Sequence, residues 1–135
     1  MQKLSVSLED YIEEIYSQIL ENGQAKVSVI AENLGVKKAS VTGALNILFE
    51  KKLINYAPYS PVTLTDEGEN VAKKIYERHQ KLAEFFKEVL NVDEKEAVET
   101  ACKMEHIITD KMFHNMVKLT KFVKSNLKDK IKDLY

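Results

Sequence analysis

The only cysteine of the chain and one of its three histidines occur in one short motif, Cys102-Lys103-Met104-Glu105-His106. Positions three and four apart on a helix share a face. If the segment is helical, a thiolate, a carboxylate and an imidazole therefore converge on one patch. These are ligand types that divalent transition metals take. Such a motif also arises by chance, so its meaning depends on whether the chain supplies further ligands and something for a metal to control.

Two carboxylates and a second histidine are candidates to complete such a site. Asp10 and Glu13 lie three residues apart in the first predicted helix, so both can point the same way. Compensation of the helix dipole is the simpler explanation for two acids there. His79 lies midway along a long predicted helix, where a histidine beside an apolar stripe is usually a packed or surface residue. His114 has no acidic or thiol neighbour at helical spacing and is left out of the site.

Composition limits the class of protein. A chain of 135 residues with 44% hydrophobic content can bury one sizeable core or two small ones. The formal net charge of −1 means that any nucleic-acid contact must come from a local basic patch. One cysteine excludes an internal disulfide. There is no apolar run typical of a signal peptide or membrane span, so we expect a soluble cytoplasmic protein that contacts no membrane.

Residues 26–65 have the pattern of a DNA-reading module. Helices predicted over 29–34 and 38–51 flank the turn Gly35-Val36, which is the helix-turn-helix layout. Two predicted strands follow, and the turn between them contains both prolines of the chain. This predicts a wing and favours a winged helix over an ordinary helical hairpin. Residues 26–52 contain five lysines and two glutamates, a formal charge of +3. The candidate DNA contacts are Lys26, Lys37, Lys38, Ala39, Ser40, Thr42 and Gly43.

Four polar residues are predicted to cap helices. Ser7 and Ser28 precede the first two helices, and Thr65 and Asp93 precede two later ones. The later helices are predicted over about 67–90, 94–108 and 110–124.

The expected fold class is mainly α. Residues 1–65 form an N-terminal winged helix-turn-helix DNA-binding domain with a two-stranded wing, and residues 66–135 a helical metal-binding and dimerisation domain. The apolar faces of the later helices exceed what one small domain needs, and a homodimer interface explains them economically. One winged helix buries too little DNA for tight specific binding, which also favours a dimer that reads a palindromic operator.

The order of motifs resembles the diphtheria-toxin-repressor family of metal-dependent transcription regulators. It is similar in particular to the short manganese transport regulators, which lack a C-terminal SH3-like domain. The resemblance covers roughly residues 5–125. The motifs are EDYIEEIY in the first helix, V-S-x-I-A-x-x-L-x-V-x-x-x-S-V-T in the helix-turn-helix, L-T-x-x-G after the wing, R-H in the long helix, and C-x-x-E-H.

The resemblance implies a metal site formed by Asp10, Glu13, His79, Cys102, Glu105 and His106. In the manganese regulators the position of Cys102 is a glutamate that bridges two metal ions. Iron-type members have a cysteine there, but a methionine at the position of Asp10. Ala83 and Val98 stand where the iron-type ancillary site has ligands.

The site is thus a hybrid, and the metal stays open between Fe(II) and Mn(II), with Zn(II) behind and with one or two ions per subunit. Carboxylates and imidazoles suit Mn(II) and Fe(II) alike, whereas a thiolate moves preference toward Fe(II), Co(II) and Zn(II). Whether Cys102 ligates directly is also open.

The implied function is a metal-activated repressor of metal-uptake genes, which binds double-stranded DNA as a homodimer. One alternative is a metal-independent winged-helix regulator that responds to a small molecule. Another is a small metallo-hydrolase with Glu13 or Glu105 as general base. No Gly-rich phosphate loop and no H-E-x-x-H motif supports an enzyme, so we expect no catalytic residues.

Overall fold

The structure, a computed structural model, describes residues 4–135. Two compact units divide inside the longest helix: one ends at Ile75, and the other runs from Tyr76 to Tyr135. The functional boundary expected between residues 65 and 66 stays a prediction. The elements are α1 (Val6–Asn22), α2 (Val27–Leu34), α3 (Lys38–Glu50), β1 (Ile54–Asn55), β2 (Thr63–Leu64), α4 (Asp66–Glu88), α5 (Glu94–Met104), α6 (Asp110–Asn126) and α7 (Lys128–Leu134).

The first unit is built on three helices whose apolar faces meet. Both α2 and α3 pack against α1, and α2 packs against α3. Ile12, Ile15, Ile30 and Leu45 are fully buried in this unit. At the end of α2, Gly35 has a φ of +66°, in the left-handed region that glycine enters without a Cβ clash. The predicted helix-turn-helix is therefore confirmed, with glycine at the turn.

The wing is a short antiparallel hairpin, as predicted. Strands β1 and β2 pair with Ile54 opposite Leu64. An isolated bridge that the sequence did not predict joins Ala25 to Val62, the residue before β2. The Ala25 N–H donates to the Val62 carbonyl at 3.0 Å, and the Val62 N–H donates back at 2.8 Å. The wing is thereby attached to the segment just before α2.

The junction between the wing and α4 is closely packed. Thr65 Oγ1 accepts a hydrogen bond from the Gly68 N–H at 3.1 Å, which confirms the predicted cap. The same hydroxyl donates to the Lys52 carbonyl at 2.8 Å. The Thr65 N–H donates to the Leu53 carbonyl at 3.1 Å. A Cβ at Gly68 would lie 1.8 Å from that carbonyl oxygen, so only glycine fits there.

The second unit buries a separate apolar cluster formed by the later part of α4, by α5 and by the residues that precede α6. Its fully or nearly fully buried members are Leu82, Ala83, Phe86, Ala97, Ala101 and Ile108. Tyr135 Oη donates to the Val89 carbonyl at 2.8 Å, which holds the end of the chain near the end of α4. Among the described residues, no helix combines the length and the apolarity that crossing a bilayer requires.

Two of the predicted caps are wrong. Ser5, not Ser7, caps α1, and its side chain accepts a hydrogen bond from the Leu8 N–H at 3.2 Å. Helix α2 begins one residue before Ser28, with Lys26 at the N-cap and no side-chain cap. In both cases the helix starts earlier because residues ahead of the predicted cap already have helical backbone geometry.

Helix α5 is shorter than predicted. Asp93 caps it as expected, and its Oδ1 accepts the Glu96 N–H at 2.8 Å. The helix ends at Met104 instead of Ile108, and Glu105 is its C-cap with φ −58° and ψ −26°. Since this backbone is still right-handed and helical, Glu105 keeps its expected offset from the last turn. The chain then passes through the α5–α6 turn, which we define as residues 105–109.

Candidate metal centre and nucleic-acid interface

A buried glutamate lies between two histidines in the second unit. Helix α4 positions His79, and the α5–α6 turn supplies Glu105 and His106. The Glu105 side chain is only 1% exposed. Its Oε2 lies 3.2 Å from His79 Nδ1, and its Oε1 lies 3.4 Å from His106 Nε2. Each imidazole therefore presents a ring nitrogen to a different oxygen of the same carboxylate.

This arrangement fits a divalent metal better than a hydrogen-bonded core. Neither Glu105 oxygen has a hydrogen bond of good geometry within the described chain, and both are buried. The two contacts to the imidazoles have ion-pair distances, but the ring N–H groups are not aligned with the oxygens. A buried carboxylate without donors is unfavourable. A cation bound by either oxygen together with the neighbouring imidazole nitrogen would compensate the charge, and carboxylate oxygen with imidazole nitrogen is a donor pair that transition metals prefer.

Cys102 lies in the last turn of α5 and is exposed. Its contact with His79 is the largest cause that raises the pKa of this histidine, and the contact with Glu105 is the second. Together they outweigh desolvation and bring the His79 pKa to about 10, from an ordinary value of 6.5. A proton on His79 thus supplies positive charge beside the buried carboxylate. A metal that binds the imidazole must displace this proton.

Arg78, next to His79 on α4, binds the far end of the α5–α6 turn. Its Nη1 donates to the Ile108 carbonyl at 3.2 Å, and its Nη2 lies 2.5 Å from Asp110 Oδ1. The guanidinium also stands 5.0 Å from the centre of the Phe113 ring. The helix that carries one histidine is therefore fixed to the turn that carries the other. From the sequence, Arg78 is only the first residue of the R-H motif, and no role is predicted for it.

The other two predicted ligands lie in the first unit. Asp10 and Glu13 are half-buried on α1, three residues apart. This spacing places them on one face of the helix, as predicted. Of the six predicted ligands, the second unit contains His79 and His106 at ion-pair distance from Glu105, and Cys102 beside His79.

The predicted DNA contacts lie on α3 and at the starts of α2 and α3. Thr42 is half-buried and its Oγ1 donates to the Lys38 carbonyl at 3.1 Å, so this hydroxyl is engaged inside the helix. Asn46 is also exposed on α3, and sequence reasoning missed it although it follows Gly43 by three residues. The predicted contacts that are exposed are Lys26, Lys37, Lys38, Ala39, Ser40 and Gly43.

A winged helix-turn-helix followed by a helical unit with a His–Glu–His cluster, in which His79 and His106 flank the buried Glu105, fits the class of metal-responsive DNA-binding regulators. Residues 3–62 match the iron dependent repressor N-terminal DNA binding domain. Residues 65–131 match the iron dependent repressor metal binding and dimerisation domain. The chain belongs to this family of metal-dependent transcriptional repressors, which confirms the resemblance seen in the sequence. It is therefore a DNA-binding regulator and not an enzyme, and its partners are DNA and a second copy of itself.

Individual relatives agree with this assignment. An uncharacterised HTH-type transcriptional regulator of Methanocaldococcus jannaschii is 38% identical over 129 residues, which are 95% of this chain and 100% of that protein. The HTH-type transcriptional regulator MntR of Bacillus subtilis is 38% identical over 100 residues, which are 74% of this chain and 70% of that protein.

A solved structure shares the fold. It is a manganese-dependent transcriptional repressor in complex with manganese, with a TM-score of 0.76 and 24% identity. The match covers 85% of this chain and 53% of that one, so the chain spans about half the length of that repressor.

Proposed function

We propose that the chain is a cytoplasmic repressor of metal-uptake genes that binds a palindromic operator when Mn(II) or Fe(II) is bound. The observation that carries the proposal is Glu105, a buried carboxylate that has no well-aligned hydrogen bond within the described chain and lies between two imidazoles, in a unit that matches a metal-binding domain. Both matched domains are those of iron dependent repressors, and the solved repressor is manganese-dependent. Mn(II) and Fe(II) are therefore each tested.

We further propose that Asp10 and Glu13 complete the ligand set. The family resemblance and the spacing on α1 support this assignment. Without metal, carboxylates that share one site repel each other. A bound divalent cation supplies the charge that lets them share a site. Because α1 belongs to the unit that carries the predicted DNA contacts, metal ligation by both units would restrict how the two α3 helices of a dimer are spaced. Metal and DNA would then strengthen each other's binding by the same factor.

Cys102 is the residue whose chemistry decides between the two metals. A thiolate ligand favours Fe(II) over Mn(II), in line with ligand softness and with the Irving–Williams order. If its Sγ ligates, Cys102→Ala should lower the Fe(II) affinity much more than the Mn(II) affinity, measured anaerobically by competition with a chelator. Equal losses for both metals would show that the sulfur does not select between them.

Operator binding with and without metal tests the function directly. Duplexes selected from a randomised library in the presence of Mn(II) or Fe(II) serve as the probe. The wild-type protein should bind them much more weakly after chelation, and His106→Ala and Asp10→Ala should bind weakly with or without metal. His114→Ala is the matched control, because this exposed histidine on α6 lies outside the ligand set. Equal DNA affinity in all cases would refute metal activation and favour the metal-independent regulator.

A dimer interface on α6 would account for the apolar side chains that this helix exposes. Met112, Leu119 and Phe122 are 45–54% exposed and lie seven and three residues apart, which places them on one side of the helix. We propose that a second copy covers them and that the two-fold axis of the dimer sets the symmetry of the operator. Sedimentation of Phe122→Glu at micromolar concentration should show monomer where the wild-type protein sediments as dimer.

A further inference from the structure

The outward face of α3 has an unusual composition. Val41, Leu45 and Leu48 are fully buried and define the inward side of this helix. At about 100° per residue, the side opposite to them is the line of Ala39, Gly43, Asn46 and Glu50. All four of these residues are exposed.

The first half of this line has almost no side chain. Ala39 contributes one methyl group, and nothing lies within 4 Å of a Cβ built on Gly43. A surface without side chains lets the backbone approach another molecule closely. The hydroxyl of Thr42 is turned to the Lys38 carbonyl and so is not presented outward. Asn46 is therefore the first residue along the outward line that offers hydrogen-bonding groups.

Asn46 is also unexplained by the fold. The side-chain amide of Asn46 makes no hydrogen bond within residues 4–135. Asparagine and glycine are both poor helix formers, and both occur here inside a 13-residue helix. Departures from local preference that have no structural compensation concentrate at functional sites.

We propose that Asn46 is a specificity-determining residue that reads one adenine in each operator half-site. This inference rests on the proposed DNA-binding function and adds the base that is read. In the major groove, an asparagine carboxamide matches adenine because its Oδ1 accepts from the N6 amino group and its Nδ2 donates to N7. Lys37 and Lys38 at the start of α3 offer charge to phosphates, which positions the helix without selecting a base.

The test compares base preferences of wild type and Asn46→Ala. Both proteins, with Mn(II), select duplexes from a randomised library, and affinities are then measured for every single-base change in the selected site. The wild-type protein should prefer adenine at one position per half-site by about tenfold. Asn46→Ala should lose the preference at that position and keep the others. Lys38→Ala is the contrast variant, because losing a phosphate contact should weaken binding to all sequences alike and reduce its salt dependence.

A modified base locates the contact at atomic level. Replacing the preferred adenine by 7-deazaadenine removes N7 and leaves the Watson–Crick edge intact. This change should weaken wild-type binding about tenfold and leave Asn46→Ala unaffected, which makes a double-mutant cycle across the interface. Circular dichroism of both proteins verifies that the substitution leaves the helices intact.

Three results would overturn the inference, and they separate its failure from that of the proposed function. If wild type binds DNA with metal but Asn46→Ala keeps every base preference, Asn46 does not read a base while the proposed function stands. The same conclusion follows if the affinity of the wild-type protein is unchanged when 7-deazaadenine replaces each adenine in turn. If the wild-type protein selects no DNA with either metal, the proposed function itself fails, and this inference fails with it.

Discussion

Replacing Gly68 by alanine should destabilise the first unit strongly. The added Cβ would lie 1.8 Å from the Leu53 carbonyl oxygen and 2.7 Å from the carbonyl carbon, where ordinary contacts begin at 3.4 Å. Both partners are backbone, so no side-chain rotation relieves the overlap. Either the first turn of α4 or the residues leading into β1 must move.

The magnitude follows from the contacts that such a movement disturbs. The Leu53 carbonyl accepts the Thr65 N–H, and Thr65 in turn caps α4 through the Gly68 N–H. Overpacking costs about 1–3 kcal/mol, and weakening the hydrogen bond and the cap costs about 1 kcal/mol each. We therefore expect a loss of about 3–5 kcal/mol in the free energy of unfolding, a large share of the 5–15 kcal/mol typical of natural proteins.

Gly43→Ala is the matched control, because it makes the same substitution with the opposite expected sign. Gly43 lies inside α3 with open space around it, so alanine should stabilise the protein by about 0.5–1 kcal/mol. Urea unfolding followed by circular dichroism, at one protein concentration and with chelator present, measures both variants. A loss below about 1 kcal/mol for Gly68→Ala would refute the steric argument.

Three further predictions concern the second unit. Arg78→Ala removes the contacts to Ile108 and Asp110, and we expect Mn(II) affinity by calorimetry to fall about tenfold or more; unchanged affinity would mean that the turn needs no such anchor. Asp93→Ala removes the cap of α5 and should lower the urea midpoint by an amount equivalent to about 1 kcal/mol, whereas an unshifted midpoint would contradict the capping role. Because the pKa of His79 is raised to about 10 in the fold, the protonated imidazole stabilises the metal-free protein. This contribution is fully present below pH 6.5 and is lost as the pH rises toward about 10. Metal-free protein should therefore unfold more easily at pH 9.5 than at pH 7, and His79→Asn should reduce this difference; identical pH dependence in both proteins would disprove the linkage.

The helix-turn-helix and the wing could be predicted because their determinants are local. Gly35 marks a left-handed turn, and the prolines at positions 58 and 61 mark the loop of the hairpin. The bridge between Ala25 and Val62 could not be predicted in this way, since it joins segments far apart in the chain. The wrong caps have a different origin. Asp10, three residues after Ser7, favours a capping box at Ser7, but Ser5 is an equally good capping residue and it is Ser5 that caps the helix.

The candidate site was predictable in its residue types more than in its environment. The motif C-x-x-E-H predicted a shared patch, but it assumed that α5 continued through His106. The structure ends α5 at Met104, and the patch survives only because the backbone of Glu105 remains helical. Spacing also did not predict that Glu105 would be buried while Cys102, one turn earlier, is exposed. Burial depends on packing between helices, which no local pattern contains.

Arg78 shows why the remaining geometry needed the structure. Its partners Ile108 and Asp110 are 30 and 32 residues away, so helical spacing on α4 gives no indication of them. Arg78 is adjacent to His79, and its partners lie at the far end of the turn that begins at Glu105. The contact therefore fixes the position of His79 relative to Glu105 and His106. The ligand types therefore limit which metals can bind, whereas the long-range contact determines how well the donor atoms are held for any of them.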